Sequence, residues 1–452
     1  MKIIIAGGGK VGQTLLRQLT SEGHDVTLID HSSRVLSTTV ERHDLIAVSG
    51  NCASREVLLS AGVKDAELVI AVTGADEVNL LCCMTAHGIN PNVHTIARIR
   101  NPEYSEQVLA MPHVFPLSLT VNPEKRAAQE IWRVLKYPGF LRRDTFAKGR
   151  TEIVELRIEA GSKLCNVKLM DMTSVVRCKV LVCAVLRSGE AIAPRGTFQL
   201  QEGDRIFVTA PTAELSVLLR NLGVNTHRVR KVLLCGGGRV SYYLAKLLEK
   251  DKVRACIIEK NPERCTELAS LLPDTAIIHG DCSDQSTLED QGIDDCDAVV
   301  ALTGMDETNM IISLYGDSKN VPQIITKLSR SENSALADSL SIGSVIYPKE
   351  HCSNDIVRYV RAMGNQQGAA VSVHTIADGQ VEAVEFLVDE ATRNCGVPLK
   401  ELKLRPNVLV ASITRGTRSQ VPGGDSVFHP GDTVVVVTSG RGIIRTLNDI
   451  FA

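Results

Sequence analysis

The sequence predicts an α/β chain built from two doubly wound parallel-sheet domains in tandem, each followed by a small α+β domain. Three observations carry that prediction: an internal repeat running the length of the chain, an alternation of short apolar runs with amphipathic ones inside each copy, and a glycine-rich turn between the first strand and first helix of each copy.

The turn Gly7-Gly8-Gly9-Lys10-Val11-Gly12 recurs 229 residues on as Gly236-Gly237-Gly238-Arg239-Val240-Ser241. Asp30 recurs at the same offset as Glu259, and Thr73-Gly74-Ala75-Asp76-Glu77-Val78-Asn79 recurs at 230 as Thr303-Gly304-Met305-Asp306-Glu307-Thr308-Asn309. Near the end of each half, Gly203-Asp204 matches Gly431-Asp432 at an offset of 228. So steady an offset indicates tandem duplication, and two copies are too few for a solenoid.

In the first copy the apolar runs 2–6, 25–30, 45–49, 68–73, 94–98 and 114–116 read as strands. Helices lie between them. Val11, Leu15, Leu16 and Leu19 fall on one face of 11–21, and Gly23 stops that helix. Asn122 is a good N-cap, with Pro123 at the first helical position and Glu124 beside the positive helix end. Strand and helix alternating in this way imply a Rossmann-like sheet.

Residues 140–150 turn polar, with Arg142, Arg143, Asp144, Lys148 and Arg150, and read as a connector. Beyond it, 152–158 and 180–187 read as strands, Gly203-Asp204 as a turn into 205–209, and 213–222 as a helix. The second copy ends alike, with 381–388, 408–413, Gly431-Asp432, 433–437 and a final helix. The expected boundaries are 1–140 and 229–366 for the two Rossmann-like nucleotide-binding domains, and 141–226 and 367–452 for the small α+β regulatory domains. Neither small domain has the length of a separate large substrate domain.

Composition narrows the function. A net charge of −2, dispersed along the chain, argues against nucleic acid as a partner. No apolar stretch approaches the roughly 18 to 20 residues of a membrane span, and Met1-Lys2-Ile3 opens without a signal-peptide pattern, so a cytoplasmic location is expected. The 13 cysteines are an odd number without a C-x-x-C pair and read as reduced core residues. The histidines show no paired ligand spacing, so no metal site is assigned.

The glycine turns carry the chemistry. Gly7 allows the tight turn, Gly9 lets the backbone approach a pyrophosphate, and Gly12 lets the helix pack on the strand. With Gly8, Lys10 and Val11 they present a helix N-terminus to negative charge. Gly236, Gly238, Arg239 and Val240 are the second-copy candidates, with Ser241 in place of the third glycine. Asp30, 18 residues after Gly12, falls where a carboxylate accepts the adenosine ribose hydroxyls, near the crevice surface, and would repel a 2′-phosphate. NAD is thus favoured over NADP, with Arg34 the opposing feature. Glu259 keeps that acceptor one methylene further out, so the second copy is expected to take NAD more weakly or to favour ADP or ATP.

Thr73 with Gly74, and Thr303, lie at the ends of fourth strands, where open α/β sheets place ligands. Asp76, Glu77 and Asn79 are read as the cap and first turn of the next helix. Arg98, at the end of the fifth strand, is placed to neutralise a phosphate, with Lys327 its counterpart; a solvated ion pair is the alternative for either. Asn51 and Cys52, and likewise Asp281 and Cys282, follow third strands at the adenine end. The two cysteines are read as apolar fillers, since a redox switch requires a perturbed thiol environment.

These features together resemble the domains that regulate potassium conductance (RCK domains), and the tandem arrangement is similar to the TrkA family, peripheral subunits of bacterial Trk potassium-uptake systems. The resemblance rests on the glycine turn with Asp30, the T-G-x-D-E-x-N segment, Arg98 within Ile96-Ala97-Arg98-Ile99-Arg100-Asn101-Pro102, and the G-D-containing small domains. It implies NAD(H) and adenine-nucleotide binding, assembly into a homotetrameric ring, and control of a Trk-type membrane subunit from the cytoplasmic face of the inner membrane. By the same resemblance, Gly7, Gly9, Gly12, Asp30, Thr73 and Arg98 are nucleotide contacts. The competing class is an NAD-dependent dehydrogenase, which needs a proton donor or acceptor beside the nicotinamide. His94 and His113 have no histidine counterparts in the second copy, and no catalytic residue is assigned.

Overall fold

The computed structural model describes residues 1–41, 45–136, 140–222, 229–330, 340, 342–363, 370–377, 379–439, 444 and 446–452. They fall into two compact units, Met1–Ala128 with Tyr347–Val360, and Gln129–Ile346 with Arg361–Ala452.

In the first unit, β1 (Lys2–Ala6), β2 (Asp25–Asp30), β3 (Ile46–Ser49), β4 (Leu68–Ala71), β5 (His94–Arg98) and β6 (Leu119–Val121) form a parallel sheet in the order β3-β2-β1-β4-β5-β6. The order reverses between β1 and β4, which opens a crevice at their carboxyl ends. Ile3 to Ala6 and all of β4 are buried, as a parallel sheet covered on both faces requires. Helix α1 (Lys10–Ser21) buries the predicted stripe of Val11, Leu15, Leu16 and Leu19. It is followed by α2 (Ser33–Val40), α3 (Arg55–Ser60), α4 (Asp76–Ile89), α5 (Pro102–Ala110) and the start of α6 (Pro123–Lys136). Asn122 caps α6 as expected, its Oδ1 accepting from Lys125 N at 2.8 Å. The helix Pro348–Met363 contributes its first turns to this unit, where Asp355 pairs with Arg126 at 2.7 Å.

The sixth strand is a correction. Residues 114–116 form no strand, because Val114 N and Phe115 N both donate to Met111 O and close the chain into a turn. Leu119–Val121 pairs with β5 instead.

The second unit contains a parallel sheet of the same order and two antiparallel sheets. The first antiparallel sheet, β10-β9-β11-β8-β7, comprises β7 (Arg142–Phe146), β8 (Thr151–Arg157), β9 (Leu181–Arg187), β10 (Glu190–Ile192) and β11 (Arg205–Pro211). The parallel sheet, β14-β13-β12-β15-β16-β17, comprises β12 (Lys231–Cys235), β13 (Arg254–Glu259), β14 (Ala276–His279), β15 (Ala298–Ala301), β16 (Gln323–Lys327) and β17 (Ser344–Ile346). The second antiparallel sheet, β18-β19-β22-β20-β21, comprises β18 (Ala370–Ile376), β19 (Val381–Leu387), β20 (Val408–Arg415), β21 (Arg418–Gln420) and β22 (Thr433–Ser439).

The polar stretch expected as a connector is thus edge strand β7, paired with β8. Two of its charged residues are paired within the fold: Arg143 pairs with Glu152, and Asp144 with His374. The expected final helix is, among the described residues, a single 3-10 turn, Leu447–Ile450, closed by a Thr446–Asp449 capping box. Residues 440–443 and 445, also within that expectation, lie outside the described residues.

The repeated Gly-Asp turns have one physical basis. Gly203 and Gly431 adopt φ of +84° and +89°, where glycine is favoured. Each following aspartate is buried and held by an arginine fork: Asp204 by Arg187 Nε and Nη2, both at 2.7 Å, and Asp432 by Arg415 Nε and Nη2 at 2.9 and 2.7 Å. The two antiparallel sheets pack face to face, with Phe146, Ile153 and Phe207 of one meeting Ile376, Ala383 and Val435 of the other in a common core.

Candidate nucleotide-binding crevices

The first crevice lies where β1 and β4 run side by side, with Ala6 opposite Ala71. Gly7 leaves β1 at φ +106°, and a Cβ there would lie 2.9 Å from Thr73 N, so only glycine fits. Gly12 is more tightly constrained, since a Cβ would lie 1.9 Å from Gly7 O. A Cβ on Gly8 would meet Val35 Cγ1 at 2.5 Å. Gly9 differs from these three: nothing lies within 4 Å of an added Cβ, and Gly9 and Lys10 are exposed. That open side faces the start of α1, which has no side-chain cap and no acidic residue in its first turn. The free amides and helix dipole there suit an anion.

Asp30 stands at the end of β2. Its Oδ2 accepts from Gly8 N at 2.7 Å and its Oδ1 from Ser32 N at 2.8 Å. The side chain is only 10% exposed, so the expectation of a near-surface carboxylate is corrected: the carboxylate anchors the glycine turn as well as facing the crevice.

Thr73 and Arg98 meet through Asn79. Asn79 Oδ1 accepts from Thr73 N at 2.8 Å and Thr73 Oγ1 at 2.7 Å, while its Nδ2 donates to Arg98 O at 2.9 Å. Arg98 Nη2 donates to Thr73 O, and its Nε is buried without a hydrogen-bond partner among the described residues. Burial, with Arg100 adding to it, lowers the Arg98 pKa against the opposing pull of Glu124, Cys352 and Asp76. The guanidinium is therefore built into the crevice wall. Gly74 is exposed beside it, its carbonyl accepting from Arg100 Nη2. Asp76 does not cap its own helix, whose N-cap is Ala75; its Oδ2 accepts from Arg100 N and Asn101 N, both at 2.7 Å, and fixes the turn after β5. Asn51 is exposed after β3, its Oδ1 accepting from Ala53 N at 3.0 Å. Cys52 is buried, and a hydrogen bond from Cys82 lowers its thiol pKa, so its environment is perturbed.

The second crevice repeats this framework on β12 and β15. Gly236 turns at φ +107°, Gly238 is open, Arg239 is exposed at the helix start, and Val240 is buried. Ser241 stands in the position of Gly12 and donates its hydroxyl to Gly236 O, replacing close backbone contact with a hydrogen bond. Glu259 Oε2 accepts from Gly237 N at 2.6 Å and Oε1 from Asn261 N at 2.8 Å. Thr303 and Asn309 repeat the Thr73–Asn79 bonds, and Lys327 Nζ donates to Thr303 O at 2.6 Å where Arg98 reaches Thr73 O. Asp281 is pushed down to about 2, first by Lys260 Nζ at 2.6 Å and then by the Ser283 amide and hydroxyl. Cys282 is buried, its thiol donating to Ile258 O at 3.4 Å.

Three contributors escaped the motif reading. Asn79 and Asn309 sit in repeated segments but read as ordinary first-turn residues. Arg264 Nε donates to Gly237 O at 2.8 Å, whereas the equivalent Gly8 carbonyl accepts from Gln13 Nε2 at 3.3 Å. The difference lies outside the glycine motif, so only the repeat alignment could have exposed it.

The chain matches the TrkA-N domain over residues 3–113 and 232–348, and the TrkA-C domain over 153–223 and 383–451. It is 31% identical over 443 residues to Trk system potassium uptake protein TrkA homolog 1 of Methanosarcina mazei, covering 96% of this chain and 97% of that protein. Among solved structures, the GsuK channel bound to NAD aligns with a TM-score of 0.61 at 18% identity, over 97% of this chain and 77% of that one. GsuK bound to ADP aligns with a TM-score of 0.51 at 15% identity, over 80% and 69%. At these identities the two channel structures show the shared fold.

Proposed function

The chain belongs to the TrkA family, and from that premise we propose that it is a nucleotide-binding regulatory subunit that gates potassium uptake through a Trk-type membrane partner. The observation that carries this reading is the duplication of one crevice within one chain: a glycine turn anchored by a carboxylate, an open helix N-terminus, and a cation held on the carbonyl of the facing threonine. NAD(H) occupies the first crevice, where Asp30 offers the ribose acceptor. ADP or ATP is favoured in the second, where Ser241 alters the turn and Arg264 adds positive charge beside it.

Assembly into a homotetrameric ring has support from matching apolar positions on matching helices. Leu81 and Met84 are exposed on α4, and Ile311 and Leu314 are exposed on the helix Asp306–Ser318. Residues at i and i+3 share a helix face and suit contact with another subunit. Among the described residues no helix is long and apolar enough to cross a membrane. The proposed location follows from the Trk-type partner: the cytoplasmic face of the inner membrane, with that partner as the attachment.

Gating requires only that two nucleotides bind two arrangements of the assembly differently, and about 1.4 kcal/mol of difference shifts the balance tenfold. The test is potassium flux into vesicles holding the membrane partner and this protein, with NAD, NADH, ADP or ATP added in turn. Flux that differs among nucleotides is expected, and identical flux with all four overturns the reading. Absorbance of the reduced nicotinamide, followed with a panel of hydroxy acids and aldehydes, tests the dehydrogenase alternative; turnover would replace a regulatory role with an enzymatic one.

A further inference from the structure

Arg98 and Glu124 stand on the same side of the first crevice. Arg98 ends β5 and lies across from Val121 of β6 in the sheet register, and Glu124 follows Val121 in the first turn of α6. Arg98 Nη2 is committed to Thr73 O, while Arg98 Nε, a donor, is buried without a hydrogen-bond partner among the described residues. Glu124 Oε2, an acceptor, is buried without one as well. Burial lowers the Arg98 pKa and the Glu124 carboxylate works against that fall, so the two groups feel one another. The Asp76 carboxylate is already engaged, its Oδ2 accepting from Arg100 N and Asn101 N, both at 2.7 Å. Arg98 and Glu124 are each half-buried and keep part of their surface open.

Buried polar atoms are nearly always paired, so an unpaired donor near an unpaired acceptor marks a place for a molecule that supplies both complements. Position says which part of a dinucleotide that is. In a sheet of this order the two halves of a dinucleotide lie on either side of the reversal between β1 and β4. Asp30, at the end of β2, is on the adenosine side. Arg98 and Glu124, at the end of β5 and just after β6, are on the side of the nicotinamide half.

We propose that Arg98 and Glu124 read the carboxamide of the nicotinamide, Arg98 Nε donating to its oxygen and its NH2 group donating to Glu124. The inference rests on the nucleotide-binding reading above and adds to it the group that separates a nicotinamide dinucleotide from ADP and ATP, which lack the carboxamide. A primary carboxamide carries an acceptor and a donor side by side, the complement of this pair. The second copy does not repeat the pair in sequence. There β16 ends at Lys327, across from Ile346 of β17, and the residue aligned with Glu124 is Lys349. Lysine offers donors only and supplies no acceptor for a carboxamide NH2.

Calorimetric titration of the full chain with three dinucleotides tests the proposal. They are NAD, nicotinic acid adenine dinucleotide, whose carboxylate has no donor, and 3-acetylpyridine adenine dinucleotide, in which a methyl replaces the NH2. Both analogues should bind roughly tenfold or more weakly than NAD, because each leaves Glu124 without a donor and the acid adds repulsion. Glu124→Gln should bring the acid analogue to within about threefold of NAD, since a glutamine amide donates to a carboxylate as well as it accepts from a carboxamide. The readout is a ratio of affinities on one variant, so a weakening common to all three ligands cancels. Should Glu124→Gln fail to fold, the acetylpyridine comparison on the unaltered chain decides. Equal affinities for NAD and the acetylpyridine analogue, or a ratio for the acid that Glu124→Gln leaves unmoved, overturns the proposal while the nucleotide reading stands, the two atoms then being satisfied by water only. Binding of none of the three overturns the nucleotide reading itself, and this inference with it.

Discussion

Asp30 and Glu259, acids of different length at equivalent places in the two copies, grip the same two backbone positions. Each carboxylate accepts the amide of the second turn glycine, Gly8 or Gly237, and the amide two residues beyond itself, Ser32 or Asn261. The extra methylene of Glu259 is absorbed without changing those bonds. The distinction between the crevices therefore rests on Ser241 and Arg264 more than on the length of the acid.

Asp30→Ala is expected to weaken NAD binding by roughly 1.5–3 kcal/mol, the range for hydrogen bonds to a charged group. It also leaves the Gly8 and Ser32 amides without their acceptor, so unfolding stability should fall by about 1–3 kcal/mol. Titration calorimetry and denaturant unfolding measure the two effects separately. Unchanged affinity in a folded variant contradicts the ribose assignment.

Gly12→Ala and Gly9→Ala should separate packing from ligand approach. A Cβ on Gly12 lies 1.9 Å from Gly7 O and should cost about 1–3 kcal/mol of stability through overpacking. A Cβ on Gly9 meets nothing within 4 Å, so stability should hold while NAD affinity drops. Thermal melts with and without NAD check both, and equal destabilisation by the two substitutions contradicts this division.

Asn79→Ala removes the bonds that join Thr73 to the end of β5. With each net bond contributing about 1 kcal/mol, a loss of roughly 2–3 kcal/mol in stability is expected, accompanied by weaker nucleotide binding. Asn309→Ala should do the same in the second crevice. Full stability in either variant, measured by denaturant unfolding, would remove the asparagine from the crevice framework.

Asp281 gives a pH prediction. Its pKa is pushed down to about 2, so the stabilisation from Lys260 is present above the unfolded carboxyl value near 3.8 and is lost as pH falls from there toward 2. The contribution is small, because the pair is largely solvated. Lys260→Met should move the Asp281 carboxyl upward in a side-chain NMR titration, and no movement would contradict the assigned cause.

The glycine turns, the two acids and the repeated threonines were legible because each works through local backbone geometry at fixed spacing. Strand β7 was not. Arg143 and Asp144 read as part of a polar connector, and their partners Glu152 and His374 become visible only once the strands pair and the small domains meet. The sixth strand was misplaced because 114–116 is apolar enough for a strand, yet the turn on Met111 closes before it can extend. Asn79 was legible as a repeated residue but not as a link, since its partners Thr73 and Arg98 come from different strand ends.

Calorimetric titration of NAD into the full chain, beside Asp30→Ala and Glu259→Ala, tests the central claim most directly. The account predicts a saturable NAD isotherm that Asp30→Ala weakens by roughly tenfold or more and Glu259→Ala leaves largely intact. An isotherm lost only with Glu259→Ala, or no NAD binding by the unaltered chain, would contradict it.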